Sequence, residues 1–300
     1  MSILLDRSTR VMIQGITGGQ VRNHVRYMRD YGTNIVCGVS PGKGGQEVEE
    51  VPVYDTVAAA LAEHPVDLTV LFIGARRVKD AALEAIEHAV PTTFILEDGV
   101  PLHDASELLT RARARGVRVI GPSAQGMISP GKAKIGGTGG SEPWRVFKPG
   151  PVGIISRSGG MGVETALLLS RHGIGQSSYV AIGGDLMTGT GFADLLPLFE
   201  ADPETRTVVL FGEPGTTHEE EVAALVGSGA ISKPVVAFVA GVSLESLPQG
   251  LTFGHTSAIM GSGAGSATAK KAALRSAGVQ VAERFNDLPR LVQEALGNQA

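Results

Sequence analysis

The chain of 300 residues is long enough for two domains, and its 43% hydrophobic and 19% charged residues indicate a folded globular protein rather than a disordered one. A formal net charge of −4 gives no electrostatic reason to expect nucleic acid or an anionic membrane as a partner. The sequence contains no run of about 18 apolar residues, and residues 1–10 lack the apolar core of a secretory signal. Cys37 is the single cysteine, so we expect a cytoplasmic protein without disulfides.

Short β-branched runs alternate with amphipathic stretches in the first half of the chain, a pattern typical of parallel βαβ units. The predicted strands are Val11–Ile16, Asn34–Val39, Val66–Ile73, Thr92–Leu96 and Val117–Ile120. The predicted helices are Gln20–Tyr31, Val57–Glu63, Val78–His88 and Ala105–Arg115.

A stretch rich in Gly, Pro and Ser, without a sustained period, interrupts this alternation between residues 121 and 150. The alternation then restarts, with predicted strands at Val152–Ser156, Ser178–Ile182, Val208–Phe211, Val235–Val239 and Val279–Val281. Helices are predicted at Met161–His172, Phe192–Glu200, Glu219–Val226, Ala267–Ser276 and Asn286–Leu296. We therefore predict an α/β protein with two doubly wound parallel-sheet domains, residues 1–125 and 150–300, joined by an ordered linker, residues 126–149.

The first predicted strand turns into the first helix through a turn that contains Gly15, Gly18 and Gly19. Small residues at such a turn let backbone amides reach a phosphate, although a tight βα turn without a ligand gives the same pattern. A nicotinamide-dependent dehydrogenase would have the motif G-x-G-x-x-G at this turn and an acidic residue after the second strand. This chain has a different glycine spacing, and the Gly-rich loop after its second strand carries Lys43, which suits a phosphate better than a ribose.

Three further Gly-rich turns follow three predicted strands of the second domain. They are Ser156–Met161, Ile182–Asp185 and Gly212–Thr216. In the first, Ser158 is a candidate N-cap, and Gly159 and Gly160 open the helix. Because the carboxyl ends of parallel strands lie at one edge of a sheet, we expect these turns to converge on one crevice.

His255 differs from the other histidines of the chain because it lies in a glycine-bounded loop after a predicted strand end. Glu213, at the end of a neighbouring predicted strand, could bond one ring nitrogen and leave the other as a nucleophile. A phosphate on that nitrogen would need donors, which the helix N-terminus at 158–161 can supply. The remaining histidines fall on predicted helices or helix ends, where we expect them to be solvated or partly packed: His24, His64, His88, His103, His172 and His218.

Other catalytic patterns are missing from the sequence. No His, Cys and carboxylate cluster has metal-ligand spacing, so we predict no metal site, and no G-x-S-x-G elbow or Walker A loop occurs. We therefore expect this chain to depend on another protein for nucleotide activation.

The motifs, taken in order, resemble those of the succinyl-CoA synthetase α subunit from Ser2 to near the C-terminus. The matching segments are Gly15–Gly18, Pro41–Gly45, Ile120–Pro122, Ile128–Gly131, Ser156–Gly159, Ile182–Asp185, Gly212–Glu213 and Gly254–His255. The resemblance implies a Rossmann-like CoA-binding domain followed by a flavodoxin-like ligase domain that carries the phosphohistidine.

The resemblance also implies the chemistry and the partners. A partner β subunit with an ATP-grasp fold would bind ATP or GTP with Mg²⁺, in an αβ or (αβ)₂ assembly. The nucleoside triphosphate and a small carboxylate would yield an acyl phosphate, which CoA then attacks. The phosphoryl group would travel through His255, which Glu213 orients. Residues implied at the CoA site are Thr17, Gly18, Gly19, Gln20 and Lys43, and those implied at the phosphate site are Ser158, Gly159 and Gly160.

Some segments depart from the succinyl-CoA synthetase pattern. The positions that depart are Gly19, Val21, Arg22, Ser123, Ala124, Gln125, Pro214, Thr216, Thr256 and Ser257. The segments at 134–140, 156–161 and 180–185 look more like ATP-citrate lyase and citryl-CoA synthetase. The carboxylate and the ADP or GDP preference therefore stay open, and a citryl-CoA or other ligase subunit and a non-catalytic CoA-binding paralogue remain alternatives.

Overall fold

A computed structural model describes residues 2–246, 255 and 265–297. The first sheet contains β1 (Arg10–Gln14), β2 (Asn34–Val39), β3 (Glu47–Val48), β4 (Val51–Tyr54), β5 (Leu68–Leu71), β6 (Thr92–Ile95) and β7 (Arg118–Ile120). Its helices are α1 (Val21–Tyr31), α2 (Val57–Glu63), α3 (Ala75–Glu87) and α4 (Leu102–Arg115).

The second sheet contains β8 (Gly126–Ser129), β9 (Ala133–Gly136), β10 (Pro149–Ser156), β11 (Gln176–Ala181), β12 (Thr207–Gly212), β13 (Val235–Val239) and β14 (Gln280–Val281). Its helices are α5 (Gly159–Arg171), α6 (Phe192–Ala201), α7 (His218–Gly227), α8 (Ala267–Ser276) and α9 (Leu288–Gly297).

The order of the parallel strands identifies both folds. In the first sheet the order is β4-β2-β1-β5-β6-β7, with β3 antiparallel at the edge. This is the 3-2-1-4-5-6 order of a Rossmann fold. In the second sheet the parallel strands run β11-β10-β12-β13-β14, which is the 2-1-3-4-5 order of a flavodoxin-like fold. The predicted fold class of two doubly wound α/β domains is therefore confirmed.

Most predicted elements agree with the structure because their apolar periodicity is strong. The bounds of β2, α2, β13 and α8 are the predicted ones, and the other predicted elements differ at their ends by at most three residues. The predictions missed the short strands β3 and β4, which are too brief to show alternation.

The segment predicted as a linker contains two strands that the sequence analysis did not predict. Strands β8 and β9 form an antiparallel hairpin, and β8 pairs antiparallel with β11, so the hairpin extends the second sheet. The hairpin also bonds to the first domain, because the hydroxyl of Thr33 donates to the Lys134 carbonyl at 2.6 Å. Residues 126–136 are thus part of the second sheet, and the wider domain limits remain a prediction.

A continuous apolar core connects the two sheets. One cluster of buried side chains contains Ile13 and Val70 of the first sheet together with Ile155 and Leu210 of the second. Burial of this kind contributes roughly 25 cal/mol for each Å² of apolar surface removed from water. The core therefore holds the carboxyl ends of the strands in both domains in a defined arrangement.

In the part of the chain that the structure describes, no helix is long and apolar enough to cross a membrane.

Candidate active site

A cavity of about 490 Å³ lies at the carboxyl ends of β1, β2 and β5 in the first domain. Thr17, Gly18 and Lys43, three of the predicted CoA-site residues, line it. Gly19 and Gln20 are exposed and are not among its lining residues. Gln20 instead occupies the N-cap position of α1, without a side-chain capping bond.

The shape of this cavity depends on a close approach between two backbone segments. Gly15 has a φ of +80°, and a Cβ at this position would lie 2.3 Å from the carbonyl oxygen of Phe72. Only glycine fits here without strain. The buried Ser40 then joins the two Gly-rich loops, because its Oγ accepts from the Thr17 amide at 3.3 Å. The glycine signal in the sequence therefore marks a real constraint on the turn.

Arg77 is a cavity residue that the sequence analysis missed. It lies in the first turn of α3, just after β5, and its side chain is exposed. Basic residues are unfavourable at a helix N-terminus because the helix dipole is positive there. The Arg76-Arg77 pair in that position was a usable signal for an anion site. Arg77 and Lys43 together provide two cations at the cavity, which fits a ligand that carries phosphate groups.

The candidate phosphoryl site lies at the ends of three neighbouring strands of the second sheet. Ser156 of β10 is opposite Ala181 of β11 on one side and Phe211 of β12 on the other. The turns after these strands therefore leave the sheet in one row. They carry Ser158, Gly184 and Glu213 to the same crevice.

His255 and Glu213 are in contact at this crevice. Nδ1 of His255 lies 2.7 Å from Oε2 of Glu213, and the two side chains are 30% and 13% exposed. The hydrogen bond to the Glu213 carboxylate raises the pKa of His255 above its ordinary 6.5, more than burial lowers it. Because a carboxylate accepts, Nδ1 donates, and the neutral ring then keeps its lone pair on Nε2.

Gly184 forms the wall against which the His255 ring packs. A Cβ on Gly184 would lie 2.3 Å from Cδ2 and 2.7 Å from Nε2 of the ring. A Cβ atom does not approach other atoms this closely, so any side chain here would displace the imidazole. The sequence placed Gly184 in a candidate turn but did not reveal this contact.

The N-terminus of α5 opens beside this crevice. The Ser158 hydroxyl caps the helix by accepting from the Met161 amide at 3.3 Å. Gly159 and Gly160 occupy the first turn, where helix amides have no acceptor within the helix. Gln125 packs on this turn, because a Cβ on Gly159 would lie 2.4 Å from its Cβ. These amides and the helix dipole favour an anion.

A buried cation lies among acidic groups behind the crevice. Arg157 is 1% exposed, and its Nη1 donates to the Thr216 hydroxyl at 2.7 Å. Its positive charge offsets part of the rise in the pKa of His255 that Glu213 causes, and part of the rise in the pKa of Asp185. The pKa of Asp185 is nevertheless raised, chiefly by burial and then by Asp98. No sequence pattern indicated that Arg157 would be buried.

The other histidines do not contact Glu213 in the part of the chain that the structure describes. His218 is the most perturbed of them, since burial lowers its pKa to about 4. The residues on both sides of His255, 254 and 256–264, lie outside the described residues, as do the departures Thr256 and Ser257. Among the described residues no group of three or more His, Cys, Asp and Glu side chains could hold a metal ion.

Comparison with known proteins identifies both halves of the chain. Residues 6–99 match the CoA binding domain family, and residues 155–280 match the CoA-ligase family. Succinate–CoA ligase [ADP-forming] subunit alpha 2 of Archaeoglobus fulgidus is 43% identical, over 99% of this chain and 100% of that protein. ADP-forming sulfoacetate-CoA ligase subunit SqwL of an Acholeplasma species is 42% identical, over 98% of each chain.

The fold comparison agrees with these sequence matches. The structure of ATP citrate lyase from Methanothrix soehngenii in complex with citrate and coenzyme A superposes with a TM-score of 0.90 at 28% identity. The match covers 99% of this chain and 51% of that one, so this chain spans about half the length of the lyase. The sequence match to ligase subunits is stronger, because it extends over the full length of both chains at about 40% identity. The chain therefore belongs to the ADP-forming CoA ligase family, alongside the succinate–CoA ligase α subunits.

Proposed function

We propose that this chain is the CoA-binding, phosphohistidine-carrying subunit of a nucleotide-dependent carboxylate–CoA ligase. The observation that carries the proposal is the 2.7 Å contact between Nδ1 of His255 and Oε2 of Glu213. It holds an imidazole in the tautomer that a nucleophile at Nε2 requires.

In the proposed reaction, Nε2 of His255 attacks the terminal phosphorus of a nucleoside triphosphate. A P–N bond forms, the P–O bond to the leaving nucleoside diphosphate breaks, and Nδ1–H continues to donate to Glu213. A carboxylate oxygen of the acid then attacks the same phosphorus, the P–N bond breaks, and an acyl phosphate results. Glu213 stabilises the positive charge that develops on the ring in the first step and orients the ring in the second.

Ser158, Gly159 and Gly160 are proposed to hold the phosphoryl group on His255. The support is the position of the α5 N-terminus at the same row of strand ends as Glu213. A helix N-terminus binds phosphate through its amides and its dipole. Gln125, which packs on Gly159, would border the same group.

Thr17, Gly18 and Lys43 are proposed to bind CoA, together with Arg77, which the structure adds to the set. Gly19 and Gln20, exposed beside the cavity, are proposed to contact CoA at its rim. The cavity fits part of such a ligand, because two cations and a Gly-rich turn suit its phosphate groups. CoA supplies the thiol that accepts the acyl group and releases phosphate.

A separate β subunit is proposed to bind the nucleotide. The relatives of this chain are named as ligase subunits, and this sequence contains no Walker A loop. We infer a partner of the ATP-grasp class that binds ATP or GTP with Mg²⁺, in an αβ or (αβ)₂ assembly. A cytoplasmic location is proposed because the single cysteine, Cys37, is buried and unpaired.

The carboxylate is proposed to be a small polyanionic acid. The relatives include succinate and sulfoacetate ligase subunits, and the structural neighbour binds citrate. These acids share a second anionic group beside the reacting carboxylate. In this proposal, residues of the partner subunit contribute to the crevice and select among these acids.

Incubation of the purified chain and its co-expressed partner with [γ-³²P]ATP and Mg²⁺ tests the proposal. The label should appear on this chain, should be acid-labile and base-stable as expected of a phosphoramidate, and should leave on addition of the correct acid with CoA. His255→Asn should abolish the label without changing CoA binding. CoA binding with no label on the unmodified chain would indicate a non-catalytic CoA-binding subunit instead.

A further inference from the structure

A fully buried ion pair lies behind the turn that carries Glu213. Nζ of Lys270 is 2.5 Å from Oε2 of Glu219, and the two side chains are 0% and 1% exposed. A pair of this kind does not usually stabilise a fold more than apolar residues of the same shape would, because both charges lose their hydration. Its location therefore calls for another explanation.

Glu219 connects this pair to the backbone of Glu213. Its second oxygen, Oε1, accepts from the Glu213 amide at 3.1 Å. Gly212 makes room for this approach, because a Cβ there would lie 2.2 Å from the same oxygen. The buried carboxylate thus bonds the turn on one side and Lys270 on the other.

Lys270 fixes the far end of the same turn. Its Nζ donates to the carbonyl of Thr216 at 2.9 Å and to Glu220 at 2.7 Å. Thr216 has a φ of +51°, which is strained for a β-branched residue. The strain persists because its carbonyl is bonded to Lys270 and its hydroxyl to Arg157.

Helix α8, which carries Lys270, begins directly after the segment that contains His255. Gly265, at the end of that segment, accepts from the Gly215 amide at 2.9 Å. The turn that bears Glu213 is therefore bonded both to α8 and to Gly265, which precedes the N-cap of α8. These hydrogen bonds and the buried ion pair link the turn that carries Glu213 to the residues that follow His255 in the chain, Gly265 and Lys270.

We propose that Lys270 and Glu219 are positioning residues: they fix the Glu213 turn against α8 so that its carboxylate meets Nδ1 of His255. The inference rests on the proposed phosphohistidine function, and neither residue touches the reacting atoms. Loss of the pair lets the Glu213 carboxylate move away from the ring.

Two variants of the full chain test this positioning role. Lys270→Met removes the anchor, and the double variant Glu219→Leu/Lys270→Met removes both charges without leaving a buried ion unpaired. The double variant keeps the test decisive if the single one fails to fold. Lys271→Met is the matched control, because Lys271 is the next residue of α8, is nearly as buried, and bonds Glu283 instead.

The first readout is the pKa of His255, measured by NMR with ring-labelled histidine and assigned with His255→Asn. The charged groups that act on this ring are Glu213, Arg157 and Asp185. Lys270 is not one of these groups, so removal of its charge does not by itself lower the pKa of His255. A fall toward the ordinary value therefore reports loss of the Glu213 contact, and we expect this fall in both variants and not in Lys271→Met.

The second readout is the rate of His255 phosphorylation with the partner subunit and ATP. We expect it to fall about 10- to 100-fold in both variants, as for a small misplacement of a reacting group, with an unchanged Kd for CoA. A lower melting temperature with the wild-type pKa and rate would overturn the inference and leave a purely structural ion pair. If the unmodified chain is never phosphorylated, the proposed function fails, while the NMR titration still decides the positioning role.

Discussion

Nδ1 of His255 and Oε2 of Glu213 lie 2.7 Å apart although 42 positions separate the two residues in the chain. The contact joins a strand end to a segment between β13 and α8. It sets both the tautomer and the pKa of the imidazole, and hence the pH at which the ring can act as a nucleophile.

Replacement of Glu213 by Gln should change the pH dependence of phosphorylation. The neutral ring is the nucleophile, and the pKa of His255 is raised above 6.5, so the wild-type rate should rise with pH through that raised pKa and then level off. In Glu213→Gln the midpoint should move to lower pH, and the plateau rate should fall about 10²–10⁴-fold. Rapid-quench phosphorylation across pH 5–9 measures both; an unmoved midpoint would show that Glu213 does not act on the ring.

Replacement of Gly184 by Ala should displace the His255 ring. The added methyl would lie 2.3 Å from Cδ2, so the imidazole must move away from Glu213. We expect phosphorylation to slow about 100-fold, with destabilisation of about 1–3 kcal/mol. Gly227→Ala is the control, since its nearest neighbour would be 3.9 Å away, in ordinary contact. Wild-type phosphorylation in Gly184→Ala would contradict the packing described here.

Removal of the cations at the first-domain cavity should weaken CoA binding alone. Lys43→Met and Arg77→Met should each raise the Kd for CoA about tenfold, the loss expected for one charge-assisted hydrogen bond. Isothermal titration with CoA gives the affinity, and [γ-³²P]ATP labelling should be unchanged. Lys148→Met removes an exposed charge elsewhere and should alter neither. Equal losses in labelling and in affinity would indicate that the cavity serves another ligand.

The buried Lys134 should make stability depend on pH above neutrality. Burial lowers its pKa from 10.5 to about 8, so the unfolded chain binds more protons than the folded one between these values. The free energy of unfolding should therefore rise with pH in this window, relative to Lys134→Met, by on the order of 3 kcal/mol. Urea unfolding at pH 7.5, 9 and 10.5 measures this difference. Lys148→Met serves as the exposed control, and a constant difference would show that Lys134 is not desolvated.

The repeated alternation of strand and helix could be predicted from the sequence because apolar periodicity is a local property. The bounds of β2, α2, β13 and α8 agree with the prediction for this reason. Gly15 and Gly184 also stood out, since a glycine at a strand end marks a close approach. The identity of the atoms that approach, the Phe72 carbonyl and the His255 ring, was not encoded locally.

The short strands and the buried charges could not be predicted in the same way. Strands β8 and β9 have four residues each and are stabilised by pairing with β11 and with one another. Lys270 and Glu219 lie on predicted helices, and no sequence pattern distinguishes them from the neighbouring charged residues. Their burial depends on how α7 and α8 pack over the turn after β12.

By itself the sequence determined the two α/β domains, the Gly-rich strand ends and the candidacy of His255 and Glu213, because residue type and spacing express these features directly. The tertiary structure decided which groups meet: Nδ1 with the Glu213 carboxylate, the ring with Gly184, and Lys270 with Glu219 behind them. Strand order and helix packing set those distances, and both arise from contacts between residues that are remote along the chain.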